Sequence, residues 1–312
     1  MKKMIKKINL ALISGGVSPE REVSLMGGDE VMAAIDKNKY NITRYDPKTD
    51  IKKLVDNAKN IDVAFILLHG PFGEDGRLQG LLDILGIPYQ GAGVLGSAVA
   101  MNKLAAKKIY DACEIPTPAW AVIEKNNTEN ALALAGSLGF PLVVKPASEG
   151  SSLGMSIIKS LDTLSDALDL AFKHDSTVIL EAFIKGRELT VGVLGNEELA
   201  ALPVVEIIPG EKYEFFDYAA KYQKGATTEI CPAKISDEMA QEARELAMAA
   251  HRALFLKGYS RTDIMADGTN LFVLETNTIP GMAPTSLLPQ AAKAAGMNFG
   301  ALLDQLIELA LE

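Results

Sequence analysis

The sequence predicts an α/β protein of several domains, with a parallel sheet first and α+β segments carrying antiparallel strands after it. Three observations carry this expectation. Continuous apolar runs at Ile8–Ile13 and Val63–Leu68 alternate with helical spacing, as strands buried on both faces do. After the Lys185-Gly186 turn, Glu188–Leu194 and Leu199–Ile208 follow each other with no helix between, which pairs them antiparallel. The 312 residues also exceed what one simple core accommodates, so two or three domains are expected.

Taken in order, Ile8–Ile13 is a first buried strand ending in Ser-Gly-Gly. Pro19 to about Ala34 has helical spacing through Val23, Met26, Val31 and Ala34. Strands at Asn41–Tyr45 and Val63–Leu68 flank a helical stretch at Ile51–Ala58, and a very short strand, Ile87–Gln90, leads into a helix around Ser97. Ligands of such sheets bind beyond the carboxyl ends of the strands, where Ser14–Glu20 and His69–Gly76 lie. A second unit follows: a helix at about Asn102–Cys113, strands at Ala119–Ile123, Pro141–Lys145, Met155–Ile158 and Val178–Glu181, and helices at Ala131–Leu138 and Leu161–Phe172. Pro209–Gly225 shows no period and reads as a long loop, either functional or disordered. Thr227–Cys231 is a strand, and Ser236–Phe255 is a helix with Ser236 as N-cap. A hairpin about Asp267-Gly268 and two helices, about Ser286–Ala295 and Asn298–Leu309, end the chain.

Composition narrows the function classes. A net charge of −9 argues against nucleic acid or an anionic membrane as partner, so any phosphate must meet a few local cations. No run of eighteen apolar residues occurs and the basic start lacks a cleavage-type site, which implies a cytoplasmic protein. Cys113 and Cys231 form no disulfide framework and no metal spacing; packing is their expected role.

Chemistry concentrates in two stretches. In the hairpin, a turn centred on Gly268 sets Asp263 opposite Val273, so Val273, Glu275 and Asn277 share a face with Asp263 and Arg261, while Phe272 and Leu274 point to the core. Two carboxylates and an amide there form an oxygen cradle for a hard cation such as Mg²⁺; a solvated face with an Arg–Asp pair is the alternative the hairpin alone leaves open. The second stretch, Lys145 to Met155, ends a strand on a lysine and brackets Ser151 and Ser152 between Gly150 and Gly154, a pattern suited to closing backbone N–H groups on phosphate oxygens. Glu181-Ala-Phe-Ile followed by Glu188 offers an apolar slot with a carboxylate for a ribose. Gly91–Gly96 literally matches a dinucleotide fingerprint and supports a rival reading, an NAD(P)-binding oxidoreductase module; because it follows a fourth, very short strand and no suitably placed strand-ending acid appears, it is read as a tight turn into the Ser97 helix. A non-catalytic ATP-binding scaffold is a third reading.

Gly15–Ser24, Leu68–Gly76, Lys145–Met155, Asp217–Tyr222, Arg261–Asp263 and Glu275–Leu288 occur in one order across nearly the whole chain. This ordered set resembles the D-alanine–D-alanine ligases of the ATP-grasp superfamily. The resemblance implies a Rossmann-like domain at 1–100, a central ATP-grasp lid lobe at 101–184 and a C-terminal ATP-grasp lobe with the metal site at 185–312. It implies ligation of two D-alanine molecules through an acyl phosphate, for peptidoglycan precursors, by a homodimer using ATP and two Mg²⁺ or Mn²⁺ ions.

By the same resemblance, Glu20 holds the ammonium of the first D-alanine, grouped with Ser151 and Tyr222, and His69 lies beside it. Lys103, Lys145 and Lys221 contact ATP phosphates, with Ser151 and Ser152 over the γ-phosphate; Glu181, Ala182, Phe183, Ile184 and Glu188 bind adenosine. Asp263, Glu275 and Asn277 hold the metals, Arg261 and the Gly281 N–H stabilise the oxyanion, and Ser286 and Leu287 receive the second carboxylate. Pro209–Gly225 is expected to close as a lid against water. Departures from the family pattern fall at Ala219, Ala220, Ile279 and Ala283-Pro284. Tyr222 favours D-alanine over D-lactate as second substrate and leaves D-serine open.

Overall fold

In the computed structural model, which describes residues 6–150, 153–210 and 227–312, β1 (Ile8–Ile13) lies between β2 (Tyr40–Tyr45) and β3 (Val63–Ile66) and pairs in parallel with both. The crossovers are α1 (Arg21–Ala34) and α2 (Ile51–Asp56), as the apolar spacing requires. The expected fourth strand is reduced to one bridge, Ala64–Tyr89. Its place in the ladder is taken by a side chain: the Gln90 amide accepts from Ile66 N–H at 2.8 Å and donates to Ile66 C=O at 2.7 Å. A helix that the sequence did not announce, α3 (Arg77–Leu85), precedes it. Gly80 in its middle weakens the helical signal, and the start is fixed by Gly76 in the left-handed region rather than by a polar cap.

Two short helices follow, α4 (Val94–Met101) and α5 (Lys103–Ala112), the second capped by the Asn102 side chain accepting from Ala105 N–H. Cys113 is exposed at the end of α5, against the packing role expected of it, while Cys231 is half-buried; both are free. The central sheet is antiparallel, in the order β4 (Trp120–Glu124), β7 (Thr177–Ala182), β5 (Leu142–Pro146), β6 (Ser156–Ile158). Helices α6 (Ala131–Leu138) and α7 (Leu164–Ala171) cover it and close a core of its own, around Leu142, Val144, Leu168 and Leu180.

The last sheet runs β11 (Thr227–Ile230), β10 (Val205–Pro209), β8 (Arg187–Gly195), β12 (Gly258–Ala266), β13 (Leu271–Asn277), with β9 (Ala200–Ala201) also on β8. The single strand expected over Leu199–Ile208 is therefore two, β9 and β10, separated at Pro203, which has no N–H to give the ladder. Helix α8 (Asp237–Ala253) packs on this sheet, and the Ser236 hydroxyl caps it by accepting from Met239 N–H at 3.2 Å. Helices α9 (Leu287–Ala294) and α10 (Phe299–Leu311) end the chain. Leu302 and Leu306 of α10 enter one core with Leu10, Leu12 and Phe65 of the N-terminal sheet and Leu194 and Val205 of the last sheet. The first and last parts of the chain are thus fused by a common core, while the central sheet keeps to itself. Among the described residues no helix is long and apolar enough to cross a membrane.

Candidate active site

The hairpin sets the site, with one correction to its register. Asp263 pairs with Glu275, not Val273, and Arg261 pairs with Asn277. A bulge after Asp263 then brings Ile264 opposite Val273, leaving Leu274 as the extra residue. An extra residue on one strand reverses the alternation of faces beyond it. Hence Val273 points into the core, fully buried, whereas Leu274 turns with Glu275 toward a cavity. Asp263, Glu275 and Asn277 still share one row, as the alternation of faces predicted.

Asp263 is the best-anchored member. Its Oδ1 accepts from the Thr190 hydroxyl at 2.6 Å and from Arg261 Nε at 3.0 Å, and its Oδ2 accepts from Arg261 Nη2 at 2.9 Å and Asn277 Nδ2 at 3.1 Å. Burial works against the Arg261 charge, but Asp263 beside it, with Glu275 and Glu74, overrides this and raises the guanidinium above its ordinary value. Behind the row, Tyr110 donates to Thr276 Oγ1 at 2.9 Å and Thr262 meets the same oxygen at 3.0 Å, a dry polar seam that fixes the two strands. Among the described residues no group of three or more His, Cys, Asp or Glu side chains converges on a metal position; the donors here are two carboxylates and an amide.

Two cavities meet at this row. Asp263 faces the larger, of about 810 Å³, Asn277 the smaller, of about 410 Å³, and Glu275 and Lys103 line both. Lys103 opens α5, lies 3.3 Å from the Glu275 carboxylate, and donates to the Glu149 carbonyl at 2.6 Å. That second bond ties it to the glycine-rich loop, whose Gly150 borders the smaller cavity and Leu153 the larger.

The larger cavity has apolar walls from Phe183, Ile184, Met265 and Leu274, with Glu188 and Lys145 at its edge. Ala182 N–H is taken by Ala119 C=O and Phe183 N–H by Pro141 C=O; Ile184 N–H has no partner among the described residues. Lys145 Nζ donates to Glu181 at 2.9 Å, and the second oxygen of that carboxylate is held by Lys107, only 1% exposed. Lys107 escaped the sequence reading because a lysine on an amphipathic helix ordinarily marks the solvent face. Burial pushes its ammonium down to about 8, with Lys145 adding to the effect and Glu181 opposing it. Burial likewise disfavours the Glu181 charge, but the two lysines prevail and hold its carboxyl below the usual range. Glu181 is thus placed to orient Lys145 as well as to wall the cavity.

Glu20, His69, Arg261, Gly281, Ser286 and Leu287, scattered over the sequence, all line the smaller cavity. Two further acids join them that the sequence did not single out, Glu74 and Glu229. Burial raises Glu74 to about 7, Glu20 adding to the shift and the N–H groups of Gly70 and Ile279 opposing it. Burial pushes the His69 imidazole below its ordinary value, against the pull of Glu20 and the Ile279 carbonyl. Neither Gly281 N–H nor the N–H groups of Leu287 and Leu288, at the start of α9, have a partner among the described residues.

The loop that presents Glu20 is clamped from outside. Arg21 donates to Asp46 at 3.0 and 2.5 Å, and Asp46 accepts Gly16 N–H at 2.9 Å. Ser24 completes the hold by accepting from Gly15 N–H and donating to Leu67 C=O. The Arg21 hydrogen bonds lower the Asp46 carboxyl to about 2. A depressed folded-state value stabilises the fold above the unfolded carboxyl's range and is lost as pH falls from about 4 to 2. Because water screens the pair, we expect this carboxylate to supply no more than about 1 kcal/mol of acid-sensitive stability. Denaturant titrations at several pH values will show it, Asp46→Asn being less stable than the parent at pH 6 and converging with it near pH 2.

Gly91–Gly96 lies apart from both cavities. A Cβ on Gly91 would come within 3.0 Å of the Tyr259 ring, and one on Gly96 within 2.8 Å of Leu256 and 2.9 Å of the Phe255 carbonyl. These glycines seat α4 against the end of α8, and the dinucleotide reading is set aside for that reason. Ser151, Ser152, Lys221 and Tyr222 lie outside the described residues, as does most of the Pro209–Gly225 stretch expected to close as a lid.

Residues 109–308 match the model of the D-ala D-ala ligase C-terminus and residues 43–92 that of the N-terminus. A D-alanine–D-alanine ligase of Syntrophobacter fumaroxidans is 54% identical over 98% of this chain and 99% of its own. The crystal structure of a Bacillus anthracis D-alanine–D-alanine ligase complexed with ATP superposes with a TM-score of 0.85 at 37% identity, covering 97% of each chain. The VanG D-Ala:D-Ser ligase of Enterococcus faecalis gives 0.85 at 32% identity, over 98% of this chain and 100% of that one. With the C-terminal model alone matching more than half of the chain, and the fold shared over nearly every residue, the chain belongs to the D-alanine–D-alanine ligase family, on an ATP-grasp architecture.

Proposed function

We propose that the protein joins two molecules of D-alanine at the expense of ATP, giving D-alanyl-D-alanine, ADP and phosphate. The observation that carries this reading is the meeting of two chemically different cavities at Lys103 and Glu275. The larger suits a nucleotide: apolar walls for adenine, the Ile184 N–H for its edge, Glu188 for the ribose, and Lys145 and Lys103 toward the phosphates. The smaller suits amino acids, with acids for ammonium groups and, for carboxylates, backbone N–H groups that have no partner among the described residues.

A carboxylate oxygen of the first D-alanine attacks the γ-phosphorus as its bond to ADP breaks, and this transfer needs positioning and charge neutralisation more than covalent help. Glu20 and His69 hold that substrate, and Lys103 and Lys145 balance the phosphate charge. The second D-alanine, seated at Ser286 and Leu287, loses a proton from its ammonium and as the free amine forms the C–N bond at the acyl carbon; phosphate leaves with the C–O electron pair and takes up the remaining amine proton. Arg261 and the Gly281 N–H are placed to stabilise the oxyanion between these events. Asp263, Glu275 and Asn277 present oxygen donors only, in one row at the seam of the cavities, which fits a pair of Mg²⁺ or Mn²⁺ ions. Such ions, when bound, supply further neutralisation of the transferring phosphoryl group.

We further place the domain limits at 1–100, 101–184 and 185–312; a separate core from Ile123 to Leu180 supports the middle unit, whose first helix, α5, packs into the core of the last sheet through Ala106 and Tyr110. A cytoplasmic location and a homodimer belong to the same reading. The test of function is phosphate release from ATP with D-alanine against L-alanine, with dipeptide measured alongside. We expect phosphate and dipeptide in equal amounts from D-alanine and at least about a hundredfold less from L-alanine. Equal rates with both enantiomers would refute the assignment. D-serine and D-lactate, supplied with limiting D-alanine, read out the selectivity of the second position.

A further inference from the structure

The smaller cavity contains a carboxylate that none of these roles employs. Glu229 stands on the edge strand β11, half-buried, facing the same space as Gly281, Ser286 and Leu287. Its Oε2 accepts from Gln290 Nε2, and the same amide donates to the Thr285 carbonyl at 2.7 Å. Gln290 lies one turn into α9, so its side chain ties Glu229 to the helix whose first N–H groups are unpaired among the described residues. A neutral amide fixes a carboxylate in place without cancelling its charge. Among the described residues no cationic side chain pairs with Glu229 either, whereas Glu275 has Lys103 and Asp263 has Arg261.

An α-amino acid carries its anion and its cation on one carbon, so a site for it needs a donor group and a carboxylate close together. The N-terminus of α9 is the donor group, suited to a carboxylate by its dipole and by N–H groups that have no partner among the described residues. A half-buried carboxylate beside it, held by a neutral amide and with no cationic partner among the described residues, is completed by a ligand cation. We propose that Glu229 receives the ammonium group of the second amino acid and so makes that subsite prefer an amine-bearing substrate to an α-hydroxy acid. This rests on the ligase reading above, extending it to a residue that reading left without a part. The competing possibility is a purely structural pin between β11 and α9. The two separate cleanly in Glu229→Gln, which keeps an oxygen to accept from Gln290 and removes only the charge.

The full-length protein and its Glu229→Gln variant are assayed with ATP and D-alanine in two ways. Hydroxylamine, an uncharged nucleophile, intercepts the acyl phosphate: its nitrogen bonds to the acyl carbon, phosphate departs, and the hydroxamate is counted. Dipeptide formation, followed over D-alanine concentration, reports the second subsite. The expected result is a fall of about tenfold or more in the ratio of dipeptide to hydroxamate, with the loss in the KM of the second D-alanine, and a rise of similar size in the preference for D-lactate over D-alanine. An unchanged ratio and an unchanged D-lactate preference would overturn the proposal, as would a parallel fall of both products, which is the signature of the structural pin. No hydroxamate from the unmodified protein would remove the ligase reading itself and this proposal with it.

Discussion

Glu275→Gln should lose about a hundred- to a thousandfold of D-alanine-dependent ATP turnover while leaving the fold nearly as stable as before. The reason lies in its place. Its side chain is common to both cavities, beside Lys103, where the phosphoryl group must pass from one to the other. Glutamine keeps the volume and an oxygen but gives up the charge. Since the pair with Lys103 is 28% and 16% exposed on its two sides, its loss should cost no more than about 1 kcal/mol of stability. Asp263→Asn should be equally inactive and also less stable by about 3 kcal/mol, because the buried Arg261 then loses its bidentate partner. A coupled assay for ADP and a urea melt of each variant separate the two effects. Turnover equal to the parent's in either variant would contradict the role given to the row.

The second large effect is expected at Gly186, where the chain leaves β7 and starts β8 along the rim of the larger cavity. A Cβ there would lie 1.9 Å from the Ala266 carbonyl oxygen and 2.7 Å from its carbon. Both atoms belong to the backbone of β12, which β8 holds in register from Gly258 to Ala266 and which cannot move without disturbing Asp263. Gly186→Ala should therefore cost about 3 kcal/mol and raise the KM for ATP, because the Ala182–Ile184 wall shifts with the turn. A denaturation midpoint matching the parent's would show that the turn yields instead.

Much of this was legible in the sequence, and the exceptions have physical causes. The parallel strands, the Ser236-capped helix and the loop after Lys145 were readable because each depends on local period or local turn chemistry. Asp263, Glu275 and Asn277 were readable as a row for the same reason, since alternation on a strand is local. The register was not: the bulge after Asp263 is decided by how two strands fit, and it moved Val273 into the core and Leu274 out of it. Lys107 and Glu229 were invisible for a related reason. Each is an ordinary charged residue in its own segment and gains meaning only from distant partners, Glu181 for one and Gln290 for the other. Gly91–Gly96 matches a dinucleotide fingerprint by letter, but its place after the short Ile87–Gln90 segment already marks it as a tight turn into the Ser97 helix, and the structure has that turn, packed on Tyr259 and Leu256.

The most direct measurement is an electron paramagnetic resonance titration of Mn²⁺ into the protein with a non-hydrolysable ATP analogue, for the parent, Glu275→Gln and Glu229→Gln. The account predicts two bound Mn²⁺ per chain in the parent and in Glu229→Gln, with at least one site lost or weakened more than about tenfold in Glu275→Gln. The same two sites at the same affinity in Glu275→Gln would contradict it.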